Sequence, residues 1–188
     1  MKDTRTLVEI SLLVALAIVL DLVATIYSAW IWQQGGAITA SMVPLALIAF
    51  RHGPKMAIVA GLMHGLIRFQ IANIFAPWQI VWDFLLPSMG STLILGLWAN
   101  KIRQKEKLRL NIWLSVFVAQ MFRFVSHWWS GVILFYMFNP RPDEWSTYLY
   151  SFIYNFPQNF FNWLLVAPIL LILLKRYDFA KVAWKKAV

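Results

Sequence analysis

The side chains most able to do chemistry are ionisable groups that interrupt otherwise apolar blocks. They are Glu9, Asp21, His64, Arg68, Asp83, Arg123 and His127. A charge held in hydrocarbon is costly, so such a group is normally paired, hydrated or used for function. We therefore expect any binding or transport site to be built from members of this set.

The clearest pattern joins Asp83 to a polar stripe further along the chain. Arg123 and His127 are four residues apart, and Gly131 and Phe135 continue the same helical face. Asp83 needs a cation, hydrogen bonds or water to remain ionised. Two interpretations follow: an Asp83 to Arg123 ion pair that only joins two helices, or a site for a cationic or hydrogen-bonding ligand.

A second polar face lies in the last apolar block. Its members recur at spacings of three or four and are Ser151, Asn155, Gln158, Asn159 and Asn162. Amides in hydrocarbon require partners, and they can either hydrogen-bond neighbouring helices or orient a ligand. Tyr148, Tyr150 and Tyr154 lie beside them, which favours a small polar aromatic ligand or a cation as the alternative to helix bridging.

Several kinds of chemistry have no support in the sequence. There is no cysteine, no HExxH metal motif, no two carboxylates close enough to pair on one helix and no phosphate-binding Gly-Lys motif. We expect no enzyme activity and no cofactor. An intramembrane hydrolase using His127 with Ser126 or Ser130 is weakly supported, because neither serine lies in a nucleophile elbow. An ion-coupled carrier in which Asp83 or Asp21 titrates is a further alternative.

These residues must be positioned by membrane helices. The chain has 188 residues, of which 61% are hydrophobic and 13% charged, so lipid must cover much of it. Apolar segments are predicted at 7–26, 38–50, 56–71, 78–99, 110–138 and 148–174. The second is short and contains Pro44, so we expect it to be kinked or partly re-entrant. The predicted fold is one all-α domain, residues 1–188, with six transmembrane helices.

The basic residues predict the orientation of this bundle. Apart from Arg68, Arg123 and Arg141, every lysine and arginine lies in a cluster at 2–5, 51–55, 101–109 or 175–186. Each cluster follows an even number of predicted crossings, so the positive-inside rule places both termini in the cytoplasm. The net charge of +9 is explained by anionic lipid headgroups at the bilayer surface, and nucleic acid is not an expected partner.

Taken in order, these features resemble a specific family over nearly the whole chain. The residues that carry the resemblance are 7–17, 34–36, 42–44, 51–53, 82–84, Arg123 with His127, and Tyr150 with Asn155. They resemble the six-helix, thiamine-binding S component of energy-coupling-factor (ECF) transporters. The resemblance implies a multi-pass protein of the cell membrane that captures a vitamin from outside, in a pocket covered by the loops near Gln34 and Pro77.

The resemblance also implies roles for individual residues. In that family an acidic residue, a basic residue with a histidine, and a tyrosine with an asparagine line the vitamin pocket, which corresponds here to Asp83, Arg123, His127, Tyr150 and Asn155. The sequence departs from the family where Asp83 replaces a glutamate, Arg123 a lysine, Phe84 a tyrosine and Phe135 a stacking tryptophan. A different small heteroaromatic vitamin or precursor is therefore an alternative ligand.

Partners follow from the same resemblance. They are a transmembrane coupling subunit and two cytoplasmic ATPases. Ser11 and Ala15 form a small-xxx-small pair on the first helix, similar to the family's docking surface for the coupling subunit. Ordinary packing inside the bundle is the alternative explanation for this pair.

Overall fold

The computed structural model describes residues 2–31, 36–72, 74–138 and 144–176. The helices in these ranges are α1 (Lys2–Ile31), α2 (Met42–His52), α3 (Pro54–Ile71), α4 (Leu86–Leu97), α5 (Ala99–Arg103), α6 (Leu108–Phe138) and α7 (Glu144–Arg176). A π-helical segment, Ile80–Leu85, leads directly into α4. No strand occurs within the described ranges.

Each predicted apolar segment contains a helix, and the all-helical membrane architecture is confirmed. By length and apolar composition, four described segments could cross a bilayer: Thr4–Ser28, Ile80–Leu97, Leu108–Met137 and Ser146–Arg176. The helices of the other two predicted segments, α2 and α3, are too short or too polar to be counted as spans. With 11 residues, α2 is about 16 Å long, and α3 carries charge at Lys55 and Arg68. Six crossings and cytoplasmic termini therefore stay predictions.

The short helix α2 occupies the centre of the bundle. Leu45 and Ile48 pack with the inner face of α1, whereas Ala46 and Phe50 join a larger core with α4, α6 and α7. Residues 38–40 were predicted to be helical but are not. Pro44 lies in the first turn of α2, where its missing N–H needs no acceptor, so it starts the helix instead of kinking it.

Polar contacts fix one end of the bundle. Arg51 at the end of α2 lies 2.7 Å from Glu9 of α1, so Glu9 is paired. Arg103 of α5 donates from Nε to the carbonyl of Phe50 at 2.6 Å. Burial lowers the pKa of Arg103 to about 10, so it stays protonated at neutral pH and holds α5 to the end of α2.

The π-helical segment has a local cause and a packing consequence. Pro87 has no N–H to donate to the preceding turn, and the N–H of Leu86 instead bonds the carbonyl of Val81, five residues back. Gly65 of α3 packs directly on this segment. A Cβ at Gly65 would lie 2.7 Å from the carbonyl oxygen of Phe84, so glycine permits the close approach that positions Asp83.

Helices α6 and α7 pack against each other along much of their length. Gly131 of α6 allows it, because a Cβ there would lie 2.4 Å from Ser151 Oγ. Beside this contact, Phe124 packs edge-on against Phe152 and Phe156 of α7, with ring centroids 5.4 and 5.5 Å away. The interface therefore holds the polar stripe of α6 against the amide-rich face of α7.

Candidate functional site

A cavity of about 550 Å³ lies among the helices. Its wall is formed by side chains of α1, α3, α4, α6 and α7, by the π-helical segment, and by residues 36–39 and 72–79. The volume falls within the range of small-molecule sites, which is roughly 300–1,000 Å³. The polar residues predicted from the sequence therefore surround a space large enough for a small ligand.

Asp83 is the centre of one polar cluster in the cavity. His127 Nδ1 lies 3.3 Å from Asp83 Oδ1. Ser130 Oγ and Gln79 Nε2 donate to Asp83 Oδ2 at 2.9 and 3.2 Å. Gln79 is itself fixed, because its Oε1 accepts the backbone N–H groups of residues 75 and 76. With a side chain 20% exposed, Asp83 is oriented on one side and still open to a ligand.

Asp21 is the centre of a second cluster. Its Oδ2 lies 3.1 Å from His64 Nε2 and 3.2 Å from Arg68 Nε, and its Oδ1 accepts a hydrogen bond from Thr39 Oγ1 at 2.9 Å. His64 Nδ1 contacts Ser88 Oγ at 3.1 Å. Asp21, His64 and Ser88 are buried, so this network links α1, α3 and α4 inside the membrane region.

Arg123 has a different environment from the one predicted. The Asp83 to Arg123 ion pair was one of the two interpretations of the sequence. It does not form, because Asp83 contacts His127 instead. Among the residues that the structure describes, none accepts a hydrogen bond from Arg123, and its Nη1 is buried. Arg123 therefore lines the cavity with its hydrogen-bond donors unused.

Aromatic side chains form one side of the cavity. Phe84, Phe135 and Tyr154 line it. Tyr150, which the family resemblance placed in the pocket, is not among the lining residues. Its ring packs edge-on against Phe135 with centroids 4.6 Å apart, so it supports the wall. Ligand contacts by Phe84, Phe135 and Tyr150 stay predictions.

The amide side chains of α7 have two different functions: one bonds to the backbone of another segment, and another lines the cavity. Asn162 Oδ1 accepts the backbone N–H of Thr39 at 2.6 Å, and its Nδ2 donates to the carbonyl of Ala37. Asn162 thus provides hydrogen-bond partners for two backbone groups of the non-helical stretch 36–40, which lipid could not do. Asn155 lines the cavity, donates to Ser151 of its own helix at 3.0 Å and makes a longer 3.4 Å contact to the carbonyl of His127.

The remaining predicted residues lie elsewhere. Gln34 falls outside the described residues. Ser11 and Ala15 are both exposed on α1, so this small-xxx-small pair is not used for packing inside the bundle, and the alternative explanation for it is wrong. The hydrolase alternative also lacks geometry: Ser126 Oγ donates to the carbonyl of Phe122, and Ser130 Oγ donates to Asp83.

Some site residues were missed by sequence reasoning. Ser130 and Gln79 hold Asp83, and Thr39 holds Asp21. The spacing of four between Gln79 and Asp83 is a signal that could have identified Gln79. Asp21, His64 and Arg68 were noted as ionisable. The spacing of four between His64 and Arg68 places these two on one face of α3, but no sequence pattern indicated that they meet Asp21, which comes from a different apolar block.

Comparisons with known proteins identify the family of the chain. The sequence matches the thiamine transporter protein family over residues 7–181. The thiamine transporter ThiT of Bacillus subtilis (strain 168) is 32% identical over 162 residues, which cover 82% of this chain and 82% of that protein. The solved structure of ThiT from Listeria monocytogenes has a TM-score of 0.79 and 25% identity, covering 95% of this chain and 99% of that chain. The chain therefore belongs to the thiamine transporter protein family and is a multi-pass transporter of the cell membrane, not an enzyme.

Proposed function

We propose that this protein is the S component of an ECF transporter, which binds thiamine in the cavity and delivers it through a coupling subunit and two ATPases. The observation that carries the proposal is the Asp83 cluster. A carboxylate oriented by His127, Ser130 and Gln79 faces a cavity whose other walls supply amides and aromatic rings. A cationic heteroaromatic ligand needs these three kinds of group.

Each part of the ligand has a matching group in this proposal. Asp83 and His127 bind the positive or amino-bearing portion, and Asn155 hydrogen-bonds a ring nitrogen. Phe84, Phe135 and Tyr154 contact the ring faces or edges. Arg123 provides hydrogen-bond donors to a ligand oxygen. Tyr150 positions Phe135 by edge-on packing, and Gln34 is a further ligand contact in this proposal.

The orientation of the cavity supports capture from outside the cell. The cavity lies toward the C-terminal ends of α3 and α6, whereas the basic residues at 51–55, 101–109 and 175–176 belong to the opposite helix ends. With the positive-inside rule, this arrangement favours six crossings, cytoplasmic termini and a cavity that opens to the exterior.

Delivery requires an energy source that the sequence lacks, since it has no nucleotide-binding motif. The exposed Ser11 and Ala15 give α1 a surface on which another helix could approach closely. We propose this surface as the docking site of the coupling subunit, with the ATPases bound on the cytoplasmic side.

Ligand identity is tested by titrating purified, ligand-free protein in detergent and following the quenching of its 11 tryptophans. Saturable quenching by thiamine, with no response to pyridoxine or riboflavin, is the expected result. A response to another heteroaromatic vitamin without one to thiamine would replace the proposed ligand, through the substitutions at Asp83, Phe84 and Phe135. Uptake that needs a proton gradient and no ATPase would contradict the proposed energy coupling.

A further inference from the structure

An open groove of about 620 Å³ lies at the start of α6, separate from the central cavity. The residues that line it are Lys107, Leu108, Arg109, Leu110 and Trp113. The linings of the groove and of the central cavity have no residue in common. The groove therefore combines two cations, two leucines and an indole ring within one short stretch of the chain.

The two cations of the groove are exposed. No described residue forms an ion pair or a side-chain hydrogen bond with Lys107 or Arg109. The segment 101–109 contains five basic residues and one acidic residue, Glu106. Because one carboxylate cannot neutralise five cations, this end of α6 carries a net positive charge and is complementary to an anion.

The turn that precedes α6 is held in place by Asn111. The buried amide of Asn111 donates from Nδ2 to the carbonyl of Glu106 at 2.6 Å, and its backbone N–H donates to the carbonyl of Lys107 at 3.0 Å. Lys107 has a left-handed backbone conformation, with a φ of 37°, which residues other than glycine rarely adopt. The two hydrogen bonds stabilise this conformation and fix the backbone of Lys107 beside the first turn of α6.

The aromatic part of the groove is positioned by α7. Arg109 and Trp113 are four residues apart and therefore share one face of α6. The carbonyl of Trp113 accepts a hydrogen bond from Trp163 Nε1 at 3.1 Å, and the two indole rings pack edge-on with centroids 5.3 Å apart. Trp113 is thus held by α7 while its side chain stays partly exposed to the groove.

The groove lies at the boundary between the apolar span and the polar turn. The segment of α6 that could cross a bilayer, Leu108–Met137, begins inside the groove. Lys107 immediately precedes this segment and is therefore at the level of the lipid headgroups, whereas Leu110 and Trp113 lie one to two helical turns further in. A ligand that fills the groove must present a negative group to the cations and hydrocarbon to the leucines and the indole.

We propose that this groove is a binding site for an anionic phospholipid, such as phosphatidylglycerol. The phosphodiester oxygens accept charge-assisted hydrogen bonds from Lys107 and Arg109, and an acyl chain packs on Leu110 and Trp113. Phosphatidylcholine has the same phosphodiester but also carries a cation, which the two basic residues repel. The site is separate from the central cavity, so the proposal does not depend on the identity of the transported ligand.

The test is native mass spectrometry of purified, delipidated full-length protein, titrated with phosphatidylglycerol or phosphatidylcholine that has the same acyl chains. The measured quantity is the ratio of the phosphatidylcholine Kd to the phosphatidylglycerol Kd for the first bound lipid. We expect a ratio of about 10 in the wild type, because each basic residue at the bilayer surface strengthens the binding of anionic lipid. Lys107→Gln with Arg109→Gln should abolish this preference. Lys175→Gln with Arg176→Gln is the matched control, because it removes one lysine and one arginine from the exposed end of α7, outside the groove, and it should retain the preference.

Four outcomes would overturn the lipid site. They are equal affinity for the two lipids in the wild type, a preference that persists in the folded groove variant, an equal loss in the control variant, and competition by glycerol phosphate at the same concentration as the lipid. The third would show that overall surface charge attracts the lipid, and the fourth that a free phosphate suffices. If the groove variant does not fold, Arg109→Gln is compared with Arg176→Gln. A protein dimer that forms without lipid and is lost in the groove variant would assign the groove to a second copy of the chain instead.

Discussion

Asp83→Asn tests the group on which the proposed function depends. The substitution keeps the shape of the side chain, and its amide oxygen can still accept from Ser130, but the negative charge is lost. Two unit charges 4 Å apart interact by about 4 kcal/mol at an effective dielectric constant of 20. The Asp83 side chain is 20% exposed and already contacts His127, so a smaller part of that energy applies to the ligand. We expect thiamine binding to weaken by about 1.5 to 3 kcal/mol, or roughly 10- to 150-fold.

The assay is the tryptophan-quenching titration, with the melting temperature of each variant measured in the same detergent. Glu106→Gln is the matched control, because it makes the same carboxylate-to-amide change at an exposed position outside the cavity. A neutral aminopyrimidine without the thiazolium ring provides a second control. Its affinity should fall less than that of thiamine if Asp83 acts through charge. Thiamine affinity that is unchanged in a folded Asp83→Asn protein would refute the role of Asp83.

Three further substitutions address other parts of the site. Asn155→Ala should reduce thiamine affinity by about 1 to 3 kcal/mol and leave the protein folded, since its cross-helix contact is the long 3.4 Å one; failure to obtain folded protein would assign Asn155 to helix bridging instead. Gly65→Ala should lower both the melting temperature and thiamine affinity, because the new Cβ meets backbone 2.7 Å away. Gly90→Ala is its control for affinity: its Cβ would lie 2.0 Å from the ring of Phe122, so its melting temperature should also fall, and an equal loss of thiamine affinity in the two variants would contradict the proposed positioning of Asp83. Ser11→Leu with Ala15→Leu should abolish ATP-driven uptake in cells that contain the coupling subunit while binding in detergent persists, and normal uptake would exclude this docking surface.

The sequence was sufficient to predict the helices because their signals are local. Long apolar runs bounded by charge identify α1, α4, α6 and α7, and the spacing of Arg123, His127 and Gly131 places them on one face of α6. Polar placement and spacing singled out Asp83, Asn155 and Phe135, and the family resemblance added Phe84; all four line the same cavity. Periodicity works for Arg123, His127 and Gly131 because all three lie within the regular helix α6.

The errors arise where the outcome depends on contacts between distant segments. The partner of Asp83 is His127 and not Arg123, a difference of one helical turn that no periodicity can decide. The start of α2 was misplaced because the backbone at 36–40 is held by Asn162 of α7, more than a hundred residues away. The π-helical segment likewise depends on both Pro87 and the space left by Gly65.

The polar residues of this bundle differ in how completely other residues of the protein satisfy their hydrogen-bonding groups. Asn162 and Asp21 are saturated by backbone and side-chain partners, so changing either would mainly disturb the fold. Arg123 has donors without acceptors, and Asp83 retains exposed surface. A cavity that leaves buried charges incompletely bonded destabilises the ligand-free protein, and a complementary ligand relieves that cost on binding. Thermal stabilisation by ligand should therefore be large, and it should depend on Arg123 and Asp83 more than on the number of apolar contacts.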